Sequence, residues 1–394
     1  MARGTKTSTA LVEVETGTNE LATEQLENYL DIAREQDFQA VITISNEVPA
    51  VAGQHPTEID KRKTRKVDLH HLSWTQVLSE AVMQKEHRGV ADADQAWILG
   101  ELIRYLEHPR SGALEFEDMG ASWVPVREAV SAGTLRVTDK GAPEVAARFD
   151  ALLRYAGLRL GRRLGTDVTP GLSRKELTDP SLRAQALISS LGASGTLEGS
   201  IRIPGTVGPL VVTADLRAGK VTCHVEVDAP REGRPATRVN WLLRQLRDAP
   251  EAVRVEAFTL HTRGAGAAEL LRDVRADPAV LVTDPKKELR AYRIALTSPM
   301  GTKRGRGRGS FIDAVLAAID GFYADVVQQL KAWTAAPPRM REVADEQPVP
   351  PALPSTALSS QDGTAQATPP GRPVAVAVAV DADVDAEPGT DPTG

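Results

Sequence analysis

Glu13 and Glu15 stand two apart in Ala10-Leu-Val-Glu-Val-Glu15, a stretch that reads as a strand. Residues two apart on a strand share a face, so both carboxylates project one way and Val12 and Val14 the other. Gln25 and Tyr29, four apart in the helical stretch that follows, lie on one helix face. A parallel strand and its crossover helix pack together, so these four side chains could converge on one cleft, with the paired carboxylates as a metal site. Each pair alone has a plainer reading. Glu13-Val-Glu15 fits a solvated strand face, and Gln25 and Tyr29 fit helix surface and helix packing. Only the joint order points to chemistry: a strand acid, then Gln-x-x-x-Tyr, then a buried strand.

In that order, Leu11-Val-Glu-Val-Glu-Thr-Gly17 followed by Glu24-Gln-Leu-Glu-Asn-Tyr-Leu30 resembles the PD-(D/E)XK, restriction-endonuclease-like nuclease superfamily in its RecB-type branch. The resemblance spans residues 10–85. It implies that Glu13 is the strand acid and that Gln25 and Tyr29 contact the nucleic-acid strand being cut. It further implies catalytic roles for Glu13, Glu15, Gln25 and Tyr29, with Glu13 and Glu15 as ligands of Mg2+. Such an ion polarises a phosphate oxygen and lowers the pKa of an attacking water. The family's lysine, two residues after the strand acid, is replaced here by Glu15, and its upstream aspartate has no counterpart before Glu13. The resemblance therefore implies an incomplete core. The expected function is nucleic-acid engagement by a relative of Mg2+-dependent nucleases, active in phosphodiester hydrolysis or degenerate. The alternative is a non-catalytic interaction or regulatory protein that uses the same fold as a scaffold.

Two basic clusters extend this expectation to DNA or RNA binding. Lys61, Arg62, Lys63, Arg65 and Lys66 place five positive charges in six residues, a solvated loop or a phosphate-neutralising one. Lys303, Arg304, Arg306 and Arg308 sit in Gly301-Thr-Lys-Arg-Gly-Arg-Gly-Arg-Gly-Ser310 just before a helix that Ser310 caps. Backbone amides and cations at a helix N-terminus suit a phosphate, although the Gly-Lys-Ser/Thr ending of a P-loop is absent. Further basic residues stand at Arg159, Arg162 and Arg163. His70 and His71 are adjacent on a strand and face opposite ways, which favours core packing or N–H donation over shared metal binding. Cys223, the single cysteine, excludes an intramolecular disulfide and reads as a buried structural thiol.

The elements that must position these groups read as follows. A strand over Ala10–Glu15, a helix from Glu24 to Gln36 with Thr23 as N-cap, and an apolar strand Ala40–Ser45 make a βαβ unit with a right-handed crossover. Leu26, Tyr29, Leu30 and Ala33 mark the inward helix face. A strand from Arg65 to Leu72 follows, then a helix opened by a Ser73/Gln76 capping box, and another opened at Asp92 or Asp94 and ended by Pro109. The expected organisation is an incomplete nuclease-like α/β domain over 1–110 and a helical connector over 111–183. A separate α+β domain with an antiparallel sheet covers 184–334, and a disordered acidic tail of Pro and Ala covers 335–394. In the connector, a helix over 143–165 turns Phe149, Leu152, Leu153 and Leu158 inward and its arginines outward. In the α+β domain, strands 210–216 and 220–228 form a hairpin about Arg217-Ala-Gly219. A helix over 239–246, strands near 253–258 and 289–296, and a helix over 311–333 complete it.

The sequence has 394 residues, 41% of them apolar and only 4% aromatic, so its cores rest on aliphatic side chains. The net charge of −6 belongs wholly to residues 337–394, where three arginines oppose nine acids, and the remainder is neutral. Global charge therefore excludes neither a nucleic-acid nor a protein partner, the latter through the 184–334 domain. With no secretory signal and no run of about 20 apolar residues, the expected place is the cytoplasm, away from the membrane.

Overall fold

The computed structural model describes residues 2–335 apart from Gly4, Thr5, Thr18, Glu20, Ala50 and Ala52, and for residues 2–7 the backbone only. The acidic tail expected from 335 lies, beyond Ala335, outside the described residues. β1 (Ala2–Arg3) and β2 (Lys6–Thr7) form a minimal antiparallel hairpin. β3 (Ala10–Val14), α1 (Thr23–Glu35), β4 (Ala40–Ser45) and β5 (Asp68–Ser73) then build a three-stranded parallel sheet in the order β3-β4-β5. Ala22, not Thr23, is the N-cap of α1, and the Thr23 hydroxyl instead donates to the Glu58 carbonyl at 3.3 Å. Thr57 returns the tie by donating to the Leu21 carbonyl at 3.1 Å. Both crossings, α1 and the 46–67 loop, thus lie over one sheet face, as a sheet that adds strands in one direction with a constant hand requires. The strand expected from Arg65 begins at Asp68, because Lys63–Arg65 coils into a 3-10 turn.

This sheet is inverted relative to ordinary patterning. Its covered face carries Glu13, Thr43, Ser45, His71 and Ser73, and all but Glu13 are buried. Its other face carries Val12 and Val14, exposed, and Ile42, Ile44 and Leu72, half-buried. The apolar centre on the covered side is small: Leu30 and Ala33 of α1 meet Val41 and Val67, with Leu11, Tyr29, Phe38, Ile59 and Leu69 at its margin.

Ser73 opens α2 (Trp74–Val82), accepting the Gln76 N–H at 3.1 Å. The reciprocal arm expected of a capping box is diverted, since the Gln76 side-chain oxygen accepts from Arg154 at 3.0 Å. A π-helical turn, Met83–Arg88, leads to α3 (Ala93–Glu107), capped by Asp92 as expected.

α4 (Trp123–Ser131) and α5 (Gly141–Leu164) occupy the stretch expected to be a connector. α5 is no tether. Its Phe149, Leu152, Leu153, Tyr155 and Leu160 are buried in one continuous core with Leu197, Ile201, Leu210 and Ile319. Leu158 is only half-buried, and Arg154, expected to face outward, is enclosed. Gly165 ends the helix at φ +67, the left-handed position that suits a residue without Cβ.

The next elements are β6 (Thr169–Pro170), α6 (Arg174–Thr178), α7 (Pro180–Ala193), β7 (Thr196–Arg202), β8 (Leu210–Asp215) and β9 (Lys220–Asp228). α8 (Pro235–Gln245), β10 (Arg254–Thr259), β11 (Ala267–Leu270), α9 (Leu271–Ala276), β12 (Leu289–Pro299) and α10 (Phe311–Asp325) complete the described chain. The strands join antiparallel in the order β11-β10-β12-β9-β8-β7-β6. The expected hairpin is present, with Val221, Cys223, Val225 and Val227 buried along β9. The terminal helix stops at Asp325 and passes into a 3-10 turn, Val327–Gln329, short of the expected Trp333. Because α5 and α7 cover β7, residues up to Ala335 form one compact unit, and the boundaries expected at 110 and 183 fall inside it. Among the described residues no helix is long and apolar enough to cross a membrane.

Candidate functional site

Three of the four residues expected to act together do meet. The Gln25 side-chain N–H2 donates to Glu13 Oε1 at 2.8 Å and to Tyr29 Oη at 3.1 Å, which uses both of its hydrogens. The amide bridges the strand acid to the helix phenol and so clamps α1 onto β3. Glu15 stands apart from this clamp. Its carboxylate accepts from Asn19 Nδ2 at 3.1 Å, and its carbonyl accepts the indole N–H of Trp74 at 2.9 Å. Asn46 closes that end of the sheet, donating to the Gly17 and Gly112 carbonyls at 2.8 Å and accepting the Leu114 N–H at 2.7 Å.

Beside Glu13 in register lie Thr43 and His71, both buried, and these with the half-buried His55 form a polar chain that the sequence reading did not anticipate. His71 Nε2 lies 2.9 Å from the Glu47 carbonyl oxygen, which only accepts, so Nε2 carries the proton. His71 Nδ1 is then an acceptor and receives the Thr43 hydroxyl at 2.8 Å. Thr43 Oγ1 in turn accepts from His55 Nε2 at 2.9 Å, and His55 Nδ1 accepts the Thr57 N–H at 3.1 Å. Burial favours the neutral form of both imidazoles, and with both neutral one direction of donation runs from the Thr57 N–H to the Glu47 carbonyl. Burial pushes the His71 pKa down to about 4 and that of His55 in the same direction. Hydroxyl, base and orienting carbonyl here have the order of a nucleophile site, but Thr43 has no exposed surface for a substrate to reach. The chain instead fastens the 46–57 loop to the sheet. His71 donates an N–H from a buried position and His70 is exposed, the division expected from their adjacency.

Arg154 supports the same loop from α5, donating to the Pro49 carbonyl at 2.9 Å as well as to Gln76. Burial depresses its pKa. The signal for this residue, an arginine on the apolar face of a helix, is present in the sequence but does not distinguish an anchor from a surface charge.

The cationic segment lies elsewhere. β5 places His71 level with Glu13 and Asp68 three residues earlier, about 10 Å along the strand, and the run Lys61–Lys66 comes before that. It sits at the opposite end of the sheet from Glu15, so it shares no cleft with the acidic pair. Lys63 is bound to Asp31 of α1, and that contact holds the Asp31 carboxyl below its usual range. Lys61, Arg62, Arg65 and Lys66 are exposed and have no ion-pair partner among the described residues.

The second basic loop is partly consumed internally. Arg304 pairs with Asp118 at 3.2 Å, and Arg306 with Glu115 at 3.0 Å and Asp313 at 2.6 Å. Ser310 caps α10 as expected, but the amide of Gly307 binds the Asp313 carboxylate at 2.6 Å. The anion position anticipated for a phosphate is therefore filled by the chain's own acid. Lys303 and Arg308 remain exposed.

Glu13 and Glu15, the expected Mg2+ ligands, are each engaged by a side-chain amide. Mg2+ takes one or two carboxylates and completes its octahedron with water. Gln25 puts an N–H on one oxygen of Glu13, Asn19 puts another on Glu15, and among the described residues no group of three His, Cys, Asp or Glu could hold a metal. Comparison of the chain with protein-family models, with curated proteins and with solved structures gave no match.

Proposed function

We propose that this chain engages nucleic acid through its phosphates, on an α/β unit resembling the PD-(D/E)XK nucleases, and that the Glu13–Gln25–Tyr29 clamp is a structural remnant of their site. The observation that carries this reading is the set of Lys61, Arg62, Arg65 and Lys66, exposed and uncommitted beside an anchored Lys63. Cations bound to neighbouring acids have little to offer a phosphate, whereas uncommitted ones release counterions from it. Four such contacts to a duplex give a slope of about −3.6 in log K against log salt, or a loss of ~150-fold between 50 and 200 mM.

Fluorescence anisotropy of a labelled duplex and a labelled single strand against the full chain tests it. The expected result is salt-steep binding that collapses when the four residues are replaced together by serine, with no cleavage of plasmid or single-stranded DNA in Mg2+. Salt-insensitive or absent binding overturns the nucleic-acid half. Mg2+-dependent cleavage lost in Glu13→Ala overturns the remnant half. The second reading, a non-catalytic interaction scaffold, is favoured by the apolar side chains that α3 holds in solvent.

A further inference from the structure

α3 exposes four large apolar side chains, where α1, α6 and α7 expose one each. Leu106 is buried on its inner side, while Trp97, Ile98, Leu102 and Tyr105 are 68%, 59%, 39% and 61% exposed. Residues 98, 102 and 105 recur at three- and four-residue spacing, and 97 flanks them, so the four make one stripe. Large apolar side chains scattered singly over a surface need no explanation, but a Trp, a Tyr, an Ile and a Leu on one helix face mark an interface.

We propose that this stripe is the contact between two copies of the chain, which pair their α3 helices antiparallel about a two-fold axis at Glu101. The proposal goes beyond the nucleic-acid reading and does not depend on it. Charge complementarity selects a second copy over an unrelated partner. The helix has Asp92 as its N-cap and Asp94 in its first turn, Arg104 and Glu107 in its last, and His108 and Arg110 in the turn after it. A two-fold axis at 101 sets Trp97 of one copy against Tyr105 of the other. The same operation brings Asp92 opposite Arg110 and Asp94 opposite His108. The Asp92–Arg110 pairing thus recurs at both rims, with Asp94 against a neutral imidazole, and the helix dipoles oppose. Glu101 itself, nearest the axis, pairs within its own chain with Arg104 at 2.9 Å, which offsets the approach of two carboxylates.

Sedimentation of the full chain over micromolar concentrations should give the mass of two chains. Trp97→Ala, removing an aromatic anchor, should weaken association by about thirtyfold or more with an unchanged circular dichroism spectrum. Glu101→Cys should cross-link to itself on mild oxidation. The only natural cysteine, Cys223, is buried with its pKa pushed up to about 12, so it gives no background. Asp92→Arg should weaken the pair, and adding Arg110→Asp should restore it. A single-chain mass at all concentrations overturns the proposal. So does a dimer that persists in Trp97→Asp, or a Glu101→Cys protein that dimerises without cross-linking.

Discussion

Acidification should weaken this fold through His71 well before its surface carboxylates are protonated. The imidazole is buried under the 46–57 loop, neutral, and held between the Thr43 hydroxyl and the Glu47 carbonyl, with His55 and the Arg154 cation nearby. Its pKa is about 4 in the folded chain against 6.5 when free. Between those two values the unfolded chain binds a proton that the native chain refuses, so stability rises with pH across the window. The stabilisation is fully present above pH 6.5 and is lost as pH falls towards 4. The linkage integral gives a loss of roughly 2 kcal/mol at pH 5 and ~3 kcal/mol at pH 4, relative to neutral pH. Urea denaturation at a series of pH values, with His71→Gln measured in parallel, isolates the contribution, because carboxylate titrations are common to both proteins and cancel in the difference. Wild type should lose about 2 kcal/mol more than the variant between pH 7 and pH 5. Parallel stability profiles for the two proteins, or an NMR titration of His71 with its midpoint near 6.5, would refute the buried-chain reasoning.

Arg154→Met removes the donors to the Pro49 carbonyl and the Gln76 side chain, and should destabilise by roughly 1–3 kcal/mol in the same denaturation assay. Arg154→Lys should not restore the loss, because one ammonium does not reproduce the planar fork that serves two acceptors in fixed directions. Cys223, buried with a pKa pushed up to about 12, should resist a coloured thiol reagent at pH 8 in the native protein and react promptly in urea. Fast native reaction would contradict its burial.

What could be read from the sequence follows the physics of periodicity. The strand at 10–14, the face of α1 bearing Leu26, Leu30 and Ala33, and the β8–β9 hairpin all show regular apolar spacing, and each forms where that spacing places it. The Gln25–Glu13 and Gln25–Tyr29 contacts were equally legible, since strand and helix geometry suffice to bring the three groups together. β6, β7 and β11 were not, because they are short or carry glycine and charge amid their apolar positions. The boundaries expected at 110 and 183 lie inside the unit that reaches Ala335. Gly165 and Pro170 punctuate the chain locally, and punctuation says nothing about whether α5 goes on to bury its face against β7. His55 escaped notice because its partners, Thr43 and His71, are joined to it only by tertiary folding.

The inversion of the parallel sheet explains why the polar chain is there at all. A unit whose apolar cluster joins Leu30, Ala33, Val41 and Val67, with Leu26 buried beside them on α1, has little hydrophobic area to hold an α/β layer unaided. Its remaining fixings are directional: the Gln25 clamp on α1, the Thr43–His55–His71 chain on the loop, Asn46 at the strand ends, and Arg154 reaching across from α5. Hydrogen bonds of this kind add modestly to stability, yet cost much when one partner is removed. Arg154 ties this sheet to α5 within the one compact unit that reaches Ala335. The inversion also accounts for the contact between Glu13 and Gln25. In an active site Glu13 would keep its oxygens for a cation and Gln25 its amide for the substrate. Here each satisfies the other, and a pair so satisfied is available to fasten α1 to β3 at a place where apolar burial alone is too small to do it.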